Sequence, residues 1–364
     1  MNQYGGAERV VESVHGLYPD APIFTTIHSP RALPSTWRDW DIRPSWLNHL
    51  PFINERHQLY LPFYPLGVES LDLRGYDTVL SITSAFAHGV RVDAGARHIC
   101  YCLTPARFLW DTRTYLANEK VGVLARTFLP AALAPLRAWD RRAARGVTEF
   151  IAISRIVQQR IAKCYNRDSV IIYPPVNIDR FSVLLHPTRD YFFVQSRLIP
   201  YKHIDLAIEA CNKLRLPLII AGEGRDRPRL EKLAGPTVKF LGRVSDEETK
   251  DLMANCRAFI FPGEEDFGIS PLEANAAGRP VIAFAGGGAL DSITENVNGA
   301  LFREPAVDSL VEILQKFDDR HFEPGVVRAC AERFGESVFQ SQLSDYLAGH
   351  SLVSEGQSTT ASHN

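Results

Sequence analysis

The chain has 364 residues, of which 45% are hydrophobic and 23% charged, and a formal net charge of −2. This length exceeds what one hydrophobic core usually supports, so we expect two domains. The near-neutral charge gives no electrostatic reason for a nucleic-acid partner. No apolar run is long enough to span a bilayer, and no charged-then-apolar leader opens the chain, so neither a membrane span nor a signal peptide is expected.

Strand-like apolar runs alternate with helical stretches, which predicts parallel βαβ units. Their nearly continuous hydrophobicity is typical of strands buried on both faces. The runs of the first half are 21–26, 78–82, 98–102 and 149–154, and those of the second half are 191–194, 216–221, 238–241, 258–261 and 280–284.

A double proline, Pro174-Pro175, lies between the halves and forbids a helix there. We therefore predict an α/β protein with doubly wound domains at 1–174 and 175–349. Ligands of such domains bind at the carboxyl ends of the strands. The polar, aperiodic segment 350–364 is predicted to be a disordered tail.

The chain opens with a glycine turn, Gly5-Gly6, and a helix follows it directly. A buried strand normally precedes such a turn, so the first domain is predicted to lack its first strand. A start upstream of Met1 is the favoured interpretation, and a domain without a central strand is the alternative. The turn itself either presents N–H groups to a phosphate or an acceptor, or is a plain tight turn.

Six cysteines are scattered along the chain without a C-x-x-C motif. Buried free thiols are the expected state, with metal or redox use as the alternative. A reducing, cytoplasmic compartment follows from this expectation. The six are Cys100, Cys102, Cys164, Cys211, Cys256 and Cys330.

Two cations follow the strand at 191–194, namely Arg197 and Lys202. An arginine offers a fork of donors to phosphate oxygens and a lysine offers a point charge. Fixed cations also stabilise the negative charge that grows on a departing diphosphate. We expect both side chains in a ligand cleft, with solvated surface charges as the alternative.

Two glutamates, Glu265 and Glu273, flank a Phe-Gly turn after the strand at 258–261. Ser270, Pro271 and Glu273 have the spacing of a capped helix start, so Glu273 is either a capping carboxylate or a ligand of two ribose hydroxyls. Glu265 either faces a sugar or is a solvated loop acid. Gly268 allows close approach of the backbone to a ligand.

In the first half, Arg107 and Asp111 follow the strand at 98–102 and are candidates for acceptor contacts, with an ion pair as the alternative. The basic stretch 137–145 is interpreted as a solvated helix face, with attraction to anionic lipid headgroups as the alternative. The run Gly286-Gly287-Gly288 is a weak sign of close approach at another strand end.

These motifs together resemble the retaining family-4 glycosyltransferases, which have the GT-B fold of two Rossmann-like domains facing across a cleft. The segment from Glu265 to Glu273 is similar to the family's E-x7-E element, and Arg197 with Lys202 to its diphosphate-binding pair. The pattern is closest to bacterial mannosyltransferases that build surface polysaccharides or lipid-linked sugars.

The resemblance implies retaining transfer without a metal ion or cofactor, in which Glu265, Arg197 and Lys202 act on the sugar and diphosphate. Glu273 would hold the ribose, and the nucleobase would lie beside Arg243 and Val244. The other implied donor-binding residues are Gly6, Phe267, Gly268, Ile269 and Ser270.

The resemblance implies transfer of a hexose, with mannose from GDP-mannose favoured, to a saccharide or lipid-linked acceptor. The expected location is cytoplasmic, with possible peripheral contact at the inner face of the cell membrane. Leu103 stands where the family commonly has a histidine and can carry no proton. A non-catalytic nucleotide-sugar-binding or scaffold protein is therefore the alternative, and a nucleotide-sugar epimerase is a weaker one.

Overall fold

A computed structural model describes residues 1–112, 131–185 and 190–349 of the chain. The predicted tail at 350–364 lies outside these described residues. Strands and helices alternate along the described ranges, and every paired strand runs parallel to its neighbour. The predicted α/β class is confirmed.

The strands are β1 Ile23–Thr25, β2 Ile42–Pro44, β3 Thr78–Thr83, β4 Arg97–Cys102, β5 Glu149–Ala152, β6 Val170–Ile171, β7 Phe192–Gln195, β8 Leu218–Ala221, β9 Val238–Gly242, β10 Ala258–Phe261, β11 Val281–Phe284 and β12 Gly299–Phe302. The α-helices are α1 Gly6–Leu17, α2 Ile53–Arg56, α3 Tyr64–Glu69, α4 Arg107–Trp110, α5 Ala134–Arg145, α6 Arg155–Tyr165, α7 Ile204–Leu214, α8 Arg227–Leu233, α9 Asp246–Asn255, α10 Ile269–Ala276, α11 Ala289–Ser292, α12 Val307–Lys316, α13 Pro324–Glu332 and α14 Glu336–Leu347.

The second half forms a six-stranded sheet in the order β12-β11-β10-β7-β8-β9. The first strand of this half, β7, lies in the middle of the sheet. Strands β8 and β9 follow on one side of it, and β10, β11 and β12 lie on the other side. Successive side chains of a strand point to opposite faces, and Phe192 and Phe193 accordingly lie in different hydrophobic cores. Both faces of this sheet are buried, which explains the unbroken apolar runs.

The first half contains a four-stranded sheet in the order β3-β4-β5-β6, and β1 and β2 pair in a separate two-stranded sheet. Among the described residues, α1 is the first element and packs against β3. The N-terminus of α1 is stabilised by Glu8, whose carboxylate accepts the backbone N–H of Gly5 at 3.0 Å.

The chain crosses between the halves at two neighbouring points. Val176 follows the double proline and pairs in parallel with Gly335, which precedes α14. Beyond Gly335, α14 packs on the first half, where Phe339 meets Tyr101 edge to face with ring centroids 5.8 Å apart. The domain boundary at 174/175 stays a prediction, and the last helix lies in space with the first half.

All six cysteines are free, and all but the half-buried Cys330 are buried. Burial raises the pKa of Cys211 and Cys256 to about 12, so these thiols stay protonated at neutral pH. Over the ranges with a described structure, no helix is both long and apolar enough to cross a bilayer.

Carboxylates of the second half pair with arginines of the first half across the interface. Asp266 binds both Arg107 and Arg160, and its backbone carbonyl accepts the hydroxyl of Ser154. Asp291, in α11, pairs with Arg155 at 2.8 Å. These ion pairs link the loops after β10 and β11 to the first half.

We expect Asp266→Ala to lower the free energy of unfolding by about 1–3 kcal/mol, because two half-buried guanidinium groups lose their shared anion. Urea denaturation of the purified variant would measure this change. Asp308→Ala is the matched control, since Asp308 is 90% exposed and pairs with Lys213 at the surface. That change should cost less than about 1 kcal/mol. Equal losses in the two variants would contradict a structural role for the Asp266 cluster.

Candidate active site

The strand order of the second half reverses between β7 and β10, which are neighbours in the sheet. The loop after β7 carries Arg197 and Lys202, and the loop after β10 carries Glu265 and Asp266. Loops at such a reversal diverge from the carboxyl edge of the sheet and leave a crevice between them. The predicted cations and carboxylates therefore meet at this edge.

The loop after β7 is shaped by contacts with the turn after β8. The N–H of buried Leu198 donates to the carbonyl of Glu223 at 2.9 Å. Gly222 has a φ of +128°, and a Cβ there would overlap the carbonyl oxygen of Ser196. This close approach requires glycine at position 222. It fixes the backbone of the loop at Ser196, and the next residue, Arg197, is exposed.

Lys202 ends a short 3-10 helix, Pro200–Lys202, and is buried except for 8% of its surface. Its ammonium pairs directly with the carboxylate of Glu265. The Arg197 guanidinium lies 3.4 Å from the hydroxyl of Tyr201 in the same loop. The structure thus pairs Lys202 with Glu265 and places Arg197 in the same loop as Lys202.

The acidic loop turns into α10 at Gly268, which has a φ of +90°. Gly268 is the N-cap residue, and α10 begins at Ile269. The predicted cap at Ser270 is wrong, because the left-handed glycine starts the helix earlier and places Ser270 inside the first turn. Glu273 therefore lies too deep in the helix to close a capping box, and that interpretation is wrong too.

The carboxylate of Glu273 is instead an interface group, with only 5% of the residue exposed. Its Oε1 atom accepts a hydrogen bond from Nη1 of Arg9 in α1 at 2.9 Å. Arg180 approaches the same oxygen at 3.8 Å and also pairs with Asp246 at 3.4 Å. Asp246 begins α9, three residues after Arg243, so Glu273 lies near the predicted nucleobase loop.

The other predicted donor residues lie at three places. A Cβ on Gly6 would lie 3.3 Å from the side chain of Ile269, so the glycine turn of the first half faces the start of α10. Arg243 is exposed and Val244 is half-buried against the core. Phe267 is buried, and its ring stacks on Tyr173 with centroids 5.8 Å apart.

The glycine run after β11 supports the acidic loop. Gly288 donates its N–H to the carbonyl of Glu265 at 2.9 Å, and a Cβ on Gly287 would overlap that same oxygen. The weak sequence signal of close approach thus corresponds to packing of one loop on another.

The side chains of the two predicted acceptor residues do not pair with each other. Arg107 points across the interface to Asp266, whereas the side chain of Asp111 is exposed. The contact between them is a backbone hydrogen bond from Asp111 N–H to the Arg107 carbonyl at 2.8 Å. An ion pair between the two side chains is not formed, and a role in acceptor binding stays a prediction.

Several residues of this region were missed in the sequence. Ser154 follows β5, so the rule of strand ends points to it. Arg9 lies one turn after the glycine turn, and Arg160 one turn after the start of α6, but neither has a local signal for its partner. Their carboxylates lie 264 and 106 residues away along the chain.

Residues 176–320 match the family Glycosyl transferases group 1. The human alpha-1,3/1,6-mannosyltransferase ALG2 is 30% identical over 222 residues, covering 50% of this chain and 52% of that protein. A GDP-mannose-dependent monoacylated alpha-(1-6)-phosphatidylinositol monomannoside mannosyltransferase of Corynebacterium glutamicum is 32% identical over 179 residues, covering 45% and 46%. The matches thus span about half the length of these curated relatives.

The solved structure of Anabaena HepE in complex with UDP and glucose superposes with a TM-score of 0.63 at 19% identity, covering 96% of this chain and 97% of that one. This likeness over both halves establishes the fold alone. The GT-B expectation from the sequence is confirmed: the chain has the GT-B fold, and its residues 176–320 match the Glycosyl transferases group 1 family.

Proposed function

We propose that the protein is a retaining glycosyltransferase that moves a hexose from a nucleotide sugar to a saccharide or lipid-linked acceptor. The observation that carries this proposal is the ion pair of Lys202 with Glu265 at the reversal of strand order, with Arg197 in the same loop as Lys202. Two cations and a carboxylate in one crevice suit a ligand that has a diphosphate beside a sugar. The family match of this domain supports the same class of donor.

Arg197 and Lys202 bind the diphosphate in this proposal. Lys202 is held at the crevice by its ion pair with Glu265, and Arg197 is exposed in the same loop. As the bond from sugar to phosphate breaks, charge builds on the leaving diphosphate, and pre-placed cations lower that barrier. This role assigns the stabilising charge to side chains and needs no metal ion.

The carboxylates bind hydroxyl groups on either side of the diphosphate. Glu265 accepts hydrogen bonds from the transferred sugar, and Glu273 accepts them from the ribose. The first turn of α10, from Ile269, directs its free N–H groups and the positive end of its dipole to the phosphate between them. Arg243 and Val244 border the nucleobase.

Mannose from GDP-mannose is the favoured donor, because the Corynebacterium relative is GDP-mannose-dependent and ALG2 is a mannosyltransferase. Surface polysaccharide or glycolipid synthesis is the favoured setting. Retention follows if a phosphate oxygen of the leaving diphosphate takes the acceptor proton on the face from which it departs. Leu103 is half-buried against the core and has no part in this proton transfer.

A non-catalytic nucleotide-sugar-binding protein is the second candidate, and Leu103 is the observation that favours it. It predicts donor binding without turnover, and no gain of activity in Leu103→His.

A peripheral membrane contact is supported by a cluster of exposed apolar side chains, the segment 52–66. Phe52 and Leu59 are each 70% exposed, and Leu66 is 58% exposed. The segment adjoins the start of the chain, where Asn2 donates to the carbonyl of Asn54 at 3.4 Å. In the basic stretch 137–145, by contrast, Arg141 stacks on a tryptophan and Arg137 bonds to a carbonyl.

Incubation of the full chain with a panel of nucleotide sugars tests the proposed function. We expect release of one nucleoside diphosphate, fastest with GDP-mannose, and faster still when a lipid-linked saccharide is added. Folded protein that neither binds nor turns over any member of the panel would exclude the proposal. Binding without turnover would favour the second candidate.

We expect Arg197→Ala to reduce kcat by roughly 100- to 1,000-fold, because charge stabilisation is lost chiefly in the transition state. The KM for the donor should change much less. Steady-state kinetics with the preferred donor would measure both constants. Arg303→Ala, at an exposed pair with Glu295 at 2.8 Å, is a matched control and should leave kcat unchanged. An Arg197→Ala variant with raised KM and normal kcat would contradict the assigned role.

We expect the full chain to sediment with vesicles of phosphatidylglycerol and phosphatidylethanolamine. The double change Leu59→Glu with Leu66→Glu should release it, since apolar burial in the interface is replaced by charge. Leu185→Glu is the control, because Leu185 is 75% exposed but lies outside segment 52–66. This change should leave vesicle binding intact. Equal sedimentation of all three proteins would exclude segment 52–66 as the contact.

A further inference from the structure

Helix α1 of the first half places Arg9 against the donor-binding half. Arg9 follows Gly6 by three residues, so both lie on one face of the helix. Gly6 faces Ile269 at the start of α10, and Arg9 reaches Glu273 one turn further along α10. One face of α1 thus lies against the first two turns of α10.

The Arg9 guanidinium holds only one oxygen of the Glu273 carboxylate. Nη1 donates to Oε1 at 2.9 Å, and the nearer Nη of Arg180 lies 3.8 Å from that same oxygen. Among the described residues, the Oε2 atom of Glu273 has no hydrogen-bond partner. Both cations therefore lie at one end of a nearly buried carboxylate, which is 7% exposed at its side chain.

A charge-assisted hydrogen bond to one oxygen restricts rotation of the carboxyl group. The other oxygen then has a fixed direction and both of its lone pairs. Two adjacent hydroxyl groups, as on the 2′ and 3′ carbons of a ribose, are donors that match such an acceptor. An unrestrained side chain would lose rotamer freedom on binding the same groups.

We propose that Arg9 is a positioning residue that orients Glu273 so that its Oε2 accepts the ribose hydroxyls of the donor. This inference rests on the proposed function, which assigns the ribose to Glu273. It adds to the nucleotide site a second residue of the first half, one turn beyond Gly6 in α1. Ribose recognition thereby depends on the contact between the two halves.

Calorimetry with GDP and 2′,3′-dideoxy-GDP, and likewise with UDP and its dideoxy form, tests this inference on the full chain. The pair whose ribose form binds tighter is used for the variants. We expect Arg9→Ala to weaken binding of the ribose nucleotide by about tenfold and to leave the dideoxy nucleotide unchanged. Arg9→Lys, which keeps a charged donor, should recover part of the loss. Glu273→Ala should abolish the ribose preference.

Arg155→Ala is the matched control, because it removes another arginine that pairs across the interface, with Asp291. It should keep the full ribose preference, which separates positioning from general weakening of the interface. Circular dichroism and thermal unfolding confirm that each variant is folded. Should Arg9→Ala be unfolded, Arg9→Gln and Arg9→Lys are compared instead, and a lower ribose preference in Gln than in Lys supports the inference.

Two results separate this inference from the proposed function. If wild-type protein binds neither nucleotide, or if Glu273→Ala keeps the ribose preference, the proposed role of Glu273 fails and Arg9 with it. If Glu273→Ala abolishes the preference but Arg9→Ala retains it, or tightens binding, only the role of Arg9 is overturned.

Discussion

The reversal of strand order between β7 and β10 determines where charge can collect in this protein. Both strands are buried on both faces, so their side chains are committed to the cores, and the loops at their carboxyl ends carry the chemistry. Lys202 comes from one loop and Glu265 from the other, and their ion pair joins the two loops. Gly222 and Gly287 support these loops from neighbouring strand ends, where any side chain would overlap a carbonyl.

The interface between the halves has a consistent polarity, with arginines on the first half and carboxylates on the second. Asp266, Glu273 and Asp291 all belong to loops or helices that border the crevice. Partly buried ion pairs add little net stability, because desolvation offsets much of the attraction. They do, however, require particular distances and orientations of the two charged groups. They therefore suit an interface that fixes the positions of the ligand-binding loops of one half relative to the other half.

The sequence predicted the fold, and it predicted which charged residues follow the strand ends, because both depend on local signals. Apolar runs marked nine of the twelve strands in the described ranges but not β2, β6 or β12, and the strand-end rule led to Arg197, Lys202 and Glu265. The Ser270 cap failed because a positive φ at Gly268 started the helix earlier than composition indicated. Asp266 binds two arginines of the first half, and Arg9 binds Glu273, which lies 264 residues away along the chain. Such pairings depend on how two domains meet, which no local pattern encodes.

The central claim is that the two charged loops hold the donor diphosphate while Glu273, oriented from the first half, holds the ribose. A crystal structure with the nucleoside diphosphate product bound tests it most directly. We predict the diphosphate on Arg197 and Lys202, and the ribose hydroxyls on Oε2 of Glu273 with Arg9 still on Oε1. A nucleotide bound away from both loops, or a ribose that leaves Glu273 uncontacted, would contradict this account.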